Sequence, residues 1–169
     1  MFHPIALLTL WCTAALAQTP PKSAALEKVE ISLGAHRHIE QTYSAGRLLY
    51  VGTYTCEHAQ RCGPQGLHYV YNLDGSLQRV IEYRFSRTRQ FEGVPDLEWT
   101  SHFFDARGQL QKVIQVTQCG ECTPMPIGTW KYYRSGKLYK TIKAGADPEP
   151  LMEEAEDQRY WPTLQPRTP

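Results

Sequence analysis

The chain has 169 residues, with 18 Lys+Arg against 17 Asp+Glu and a formal net charge of +1. That length allows one ordinary domain, and the near balance of charge argues against a polyelectrolyte partner such as nucleic acid. A hydrophobic content of 41% is enough to build a core, which argues against disorder. The first element, Ile5 to Leu16, is an apolar stretch of 12 residues, too short to span a bilayer as a helix. It ends in Ala15-Leu16-Ala17, the small-x-small pattern that signal peptidase cuts, although no Lys or Arg precedes the apolar run. Residues 1–17 therefore read as a signal peptide cleaved after Ala17. A periplasmic location and no integral membrane span follow as expectations. Cleavage removes Cys12 and leaves Cys56, Cys62, Cys119 and Cys122, an even set in an oxidising compartment.

Residues 18–33 form an N-terminal lead-in whose segment Lys22 to Ser32 reads as a short helix or the approach to a strand. Beyond it, four turn units recur: Tyr43 to Leu48, Tyr71 to Leu77, Phe104 to Leu110 and Tyr133 to Leu138. Each has an aromatic residue, polar turn residues, Gly, any residue, then Leu. Gly supplies the positive φ that a tight hairpin needs, and the Leu opens the next strand. Leu77, Arg79, Ile81 and Tyr83 then alternate along one strand face, as do Leu110, Lys112, Ile114 and Val116, and Leu138, Lys140 and Ile142. A longer period carries Gly46, Gly66 and Gly75 onto Gly108, Gly128 and Gly136, a shift of about 61 residues. The Cys pairs follow the same shift. The fold expected is mainly β: an antiparallel β-meander of about eight strands in domain 34–146, made by tandem duplication of copies 34–91 and 92–146. It would hold four hairpin units, with short flanking helices. Residues 147–169 form an acidic, Pro-containing C-terminal segment.

The Cys pairs carry the sharpest chemical question. Local bridges 56–62 and 119–122 are the leading pairing, and bridges between the two loops are the alternative. Cys119-Gly-Glu-Cys122 also has the C-x-x-C spacing of thiol exchange, but it follows a strand instead of opening a helix. Zinc is disfavoured because C-x5-C combined with C-x2-C is not a usual ribbon spacing. His36 and His38 share a face if their segment is a strand, yet solvated strand histidines are the commoner case. We expect no metal and no cofactor. No nucleophile elbow, H-E-x-x-H or phosphate-binding Gly loop occurs, so no catalytic residue is assigned and an enzyme is not expected. Candidate partner-binding residues are Arg84, Arg87 and Arg89 in the joint between copies, and Glu153, Glu154 and Asp157 in the acidic segment.

Gly128-Thr-Trp-Lys-Tyr-Tyr-Arg-Ser-Gly-Lys-Leu138 resembles the MORN-repeat variant of bacterial proteins, whose unit reads roughly G-x-W-x-x-Y-x-x-G-x-L. Gly66-Leu-His-Tyr-Val-Tyr71 keeps the leading Gly but has His68 where the motif has Trp. The other two units match more loosely, so the resemblance covers roughly residues 40–143. It implies a meander of hairpins with no chemistry of its own. The architecture is similar to the YwqK-type antitoxin proteins, which neutralise a cognate toxin by binding it. The Cys-bearing loops depart from the common cytosolic repeat and favour an envelope version. The resemblance thus implies a periplasmic immunity protein that binds a cognate toxin, a phospholipase or a peptidoglycan-degrading enzyme, in a 1:1 complex. Alternatives are a module binding lipid or cell wall and a thiol oxidoreductase using Cys119 and Cys122.

Overall fold

The structure is a computed structural model that describes residues 25–56, 62–91, 94–119, 122–144, 151 and 155, with backbone alone for Cys62, Arg89 to Phe91, Val94 and Pro95. The proposed signal peptide, residues 1–17, lies outside the described residues. Among the described residues, no helix is long and apolar enough to cross a membrane.

The chain folds as one antiparallel sheet. Its strands are β1 (Leu26–Ser32), β2 (Arg37–Ser44), β3 (Arg47–Cys56), β4 (Cys62–Pro64), β5 (Gly66–Tyr71) and β6 (Leu77–Phe91). They continue as β7 (Val94–Phe104), β8 (Leu110–Gln118), β9 (Met125–Pro126), β10 (Thr129–Arg134) and β11 (Lys137–Lys143). The order is β1-β2-β3-β5-β6-β7-β8-β10-β11, with β4 pairing the far end of β3 and β9 the far end of β8. Thus β2-β3-β5-β6 and β7-β8-β10-β11 run in the same order, each with a short detour strand after its second member.

Eleven strands among the described residues exceed the eight expected. The segment read as a lead-in or helix is β1, paired in register with β2 from Leu26↔Ser44 to Ser32↔His38. Its alternation suits the open edge of β2, and an extended edge satisfies more backbone groups than an isolated helical turn. The other two additions, β4 and β9, come from the Cys-bearing loops, which fold back onto the strands they leave. On the C-terminal side, Leu151 and Ala155 are helical; the remainder of 147–169 lies outside the described residues.

Two of the hairpins turn on two residues, Ala45-Gly46 and Ser135-Gly136, all four with φ between 50° and 74°. This is the left-handed geometry that matches strand twist, and Gly takes the second position without steric cost. The β5–β6 and β7–β8 hairpins turn on five residues, closed by Asn72 N–H to Ser76 O and Asp105 N–H to Gln109 O, both 2.9 Å. Turn type therefore does not follow the 61-residue shift. Gly46 shares its geometry with Gly136, and Gly75 with Gly108.

One sheet face carries the core. Ile81, Tyr83, Trp99, Ile114, Val116 and Trp130 are buried there, and Leu151 and Ala155 complete the cluster. The ladder sets this arrangement: Tyr83 stands opposite Trp99, and Trp99 opposite Val116. Leu151 and Ala155 are four apart, so one helical face presents both. Fully burying a side chain such as Ile114 contributes about 1.5–3 kcal/mol.

Candidate functional site

Three clusters stand out on this frame. The first lies inside the sheet under β3 and β5. His68 is fully buried, and its Nε2 lies 2.9 Å from the Thr53 carbonyl oxygen. A carbonyl only accepts, so Nε2 carries the hydrogen and Nδ1 of the neutral ring is an acceptor. The Tyr50 hydroxyl, 2.6 Å from Nδ1, therefore donates to it. Tyr50 can then accept from Tyr54, whose hydroxyl is 3.2 Å away. Tyr83 tilts against the imidazole with ring centroids 4.7 Å apart. Burial, the dominant effect, pushes the His68 imidazole down to about 4, with the bonds to backbone carbonyls opposing it. Burial likewise raises the phenols of Tyr50, Tyr54 and Tyr83 above the ordinary tyrosine value. At neutral pH the cluster is thus uncharged and hydrogen-bonded. Gly52 makes it possible: a Cβ there would collide with the Tyr50 hydroxyl and the His68 ring.

The equivalent position in the C-terminal half is Trp130, also fully buried. Its Nε1–H donates to the Gln115 carbonyl at 2.9 Å, as His68 does to Thr53. The same two carbonyls also accept a backbone N–H at 2.9 Å, from Ile127 and Gln65 respectively. His68 thus occupies the place of a tryptophan in the same backbone frame.

The second cluster sits at the β1–β2 edge. Glu30 pairs directly with Glu40 across the ladder, and His38 is two residues from Glu40 on the same face. The ligand-capable atoms of Glu30, His38 and Glu40 all lie within 4.8 Å of one another. Glu40 is only 5% exposed. The Lys28 ammonium bridges the two carboxylates at 2.7 Å to Glu40 and 3.5 Å to Glu30. Its hydrogen bond to Glu40 is the main effect that raises the Lys28 pKa above the usual lysine value. The His38 ring stacks on Tyr54 with centroids 5.2 Å apart.

The third cluster is the hairpin β10–β11. Lys131, Arg134, Lys137, Lys140 and Lys143 are all exposed there, and no Asp or Glu occurs between Cys122 and Asp147. Leu138 and Tyr139 project beside them, 52% and 55% exposed. The Arg134 guanidinium lies over the Tyr139 ring at 4.9 Å and the Lys140 ammonium over Tyr132 at 5.4 Å. Tyr132 and Lys140 stand opposite each other on the face that holds Trp130, whereas Tyr139 takes the other face, so cation–ring pairs occur on both faces of the hairpin.

The residues singled out from sequence are dispersed among these features. Arg84 is exposed on β6 but is held by Glu98, with 2.9 Å from Nη2 and 3.1 Å from Nε to Oε2. Arg87 is exposed on the same strand, and the side chain of Arg89 is outside the described set. The segment expected to join two copies is thus the outer half of one 15-residue strand. Glu153, Glu154 and Asp157 lie outside the described residues. Cys119 and Cys122 form a disulfide between β8 and β9. Cys56 is also disulfide-bonded, and its backbone stands opposite Cys62 in the β3–β4 ladder.

Sequence reasoning missed the basic hairpin because Lys131, Arg134 and Lys137 fill variable positions of the expected motif and Lys140 and Lys143 follow it. It also missed the Glu30–His38–Glu40 grouping, since cross-strand register is invisible in a one-dimensional pattern. The departure of His68 from the motif was the available signal for the buried network. No family model, no curated protein and no solved structure matches this chain.

Proposed function

We propose that the protein is an exported binding scaffold that neutralises an envelope-active toxin by one-to-one occlusion, without turnover. The β10–β11 hairpin is the observation that carries this reading. Five exposed cations, in a stretch with no Asp or Glu between Cys122 and Asp147, suit an acidic surface on the partner, and Tyr139 and Leu138 supply contact area beside them. Charge of this kind chiefly accelerates encounter, whereas aromatic anchors hold the complex. A phospholipase or a peptidoglycan-degrading enzyme is the target class, because both act in the periplasm, where cleavage after Ala17 would release this chain.

On the same reading, the sheet is a tandem duplication of four hairpin units of the MORN-repeat type. The matched strand orders and the matched carbonyl bonds of His68 and Trp130 support that origin. Copy-specific differences then lie in the turns and in the side chains filling each interior.

Co-purification from the periplasm should recover one toxin at equimolar ratio, and one equivalent of purified protein should abolish that toxin's activity. Reversing charge with Lys137→Glu and Lys140→Glu should weaken the complex at least about tenfold at low salt. Normal growth in the presence of that toxin after deletion of this gene would sink the proposal. The interleaving of Tyr139 and Leu138 with lysines also favours a second reading, binding to anionic lipid head groups. Sedimentation with anionic vesicles at two salt concentrations separates it from toxin binding.

A further inference from the structure

The β1–β2 edge contains a grouping that toxin binding does not use. Register places Glu30 directly opposite Glu40, and like charges in that position destabilise a ladder. The cost is greater for Glu40, which is nine-tenths buried. The structure answers with a cation, the Lys28 ammonium, set between the two carboxylates. Lys28 itself is half exposed, so its flexible stem can swing the ammonium into water if another cation takes the position. A half-buried imidazole, His38, supplies a third donor, and stacking on Tyr54 restrains its ring.

We propose that Glu30, His38 and Glu40 form a binding site for a divalent transition metal of the zinc class, which exchanges with the Lys28 ammonium. One imidazole nitrogen and two carboxylate oxygens suit Zn²⁺, which accepts both donor types and completes its shell with water. Calcium is a poorer match because it calls for six or more oxygen donors. The donor atoms lie within 4.8 Å of one another, so closing on an ion at roughly 2.0–2.2 Å needs movements of about 1 Å. Exposed Glu30 can make most of that movement by changing rotamer. The bound ion would tie the edge strand β1 to β2 and replace a single flexible ammonium by three fixed bonds. His36, in the turn before β2, takes no part in this site.

Equilibrium dialysis of the full chain against zinc chloride tests the proposal, with circular dichroism used to verify that each variant is folded. One Zn²⁺ should bind per chain. Glu30→Gln and His38→Ala should each weaken binding at least about tenfold, and His36→Ala should leave it unchanged. Lys28→Met should tighten binding roughly tenfold, because it removes the competing positive charge. Glu30→Gln alters an exposed side chain and remains informative if His38→Ala fails to fold. The proposal is overturned if wild type takes up no zinc, if folded Glu30→Gln binds like wild type, or if Lys28→Met binds no more tightly. Calcium binding equal to zinc would also overturn it, since His38 would then contribute nothing. These results are independent of toxin binding, which β10–β11 variants test separately.

Discussion

The N-terminal and C-terminal halves of the sheet share one strand order and fill it with opposite chemistry. Under β8 and β10 the frame closes on Ile114, Val116 and Trp130, an apolar set backed by Leu151 and Ala155. Under β3 and β5, the corresponding space holds Gly52, Tyr54 and His68, with Tyr50 bonded to the imidazole. Both halves spend a ring N–H on the same backbone carbonyl, at Gln115 and at Thr53. The acceptor therefore belongs to the frame, and the ring that uses it is free to vary. An apolar filling stabilises by area and is indifferent to pH. A polar filling stabilises only while every donor has its acceptor and the imidazole stays neutral.

Emptying the apolar half should have the largest effect. Trp130→Ala removes a fully buried ring together with its bond to Gln115 and should cost about 3–5 kcal/mol, measured by urea unfolding. An effect below about 1 kcal/mol would mean that the C-terminal half does not anchor the sheet.

Acid should act on the other half. The folded His68 value of about 4 lies below the ordinary 6.5, so the unfolded chain binds a proton that the fold refuses. Stability from this group is complete above about pH 6.5, declines as pH falls towards 4, and declines no further below that. The difference amounts to about 3 kcal/mol at full protonation. Carboxylates also respond in this range, so the test is the pH slope of wild type against His68→Gln. The variant should be less stable at neutral pH and show a shallower loss between 6.5 and 4. Equal slopes would place the acid response elsewhere.

Gly52→Ala sharpens the contrast most finely, since it adds one methyl group to the polar half. Its Cβ meets the Tyr50 hydroxyl and the His68 ring, two groups whose mutual hydrogen bond resists displacement. A loss of about 1–3 kcal/mol is expected, with a shift in the His68 imidazole resonances by NMR. A neutral substitution would show that the network gives way easily.

The mainly β fold was legible because alternation in Leu77–Tyr83 and Leu110–Val116 and the recurring Gly-x-Leu turns are local signals. The strand status of Leu26–Ser32 was not, because a seven-residue alternating segment becomes a strand only when β2 offers it an edge. Turn type also escaped. Gly46 and Gly108 share a place in the 61-residue period, but two residues link one pair of strands and five link the other. The motif departure at His68 was visible from the chain, whereas its partners were not, because Tyr50 and Gly52 approach through packing. The edge grouping of Glu30 and Glu40 depends on register, which ten residues of separation conceal.

The meander order has a kinetic consequence. Along the main path each strand joins the one before it in the chain, and the two departures, β3 to β5 and β8 to β10, skip only the short strands β4 and β9. Among the described residues, no strand pairing joins segments far apart in the sequence. Closing such short loops costs little entropy, so the sheet can grow by adding one hairpin to an existing edge. An all-β chain built in this way should refold faster than a sandwich of similar length, whose strands must find partners far along the sequence.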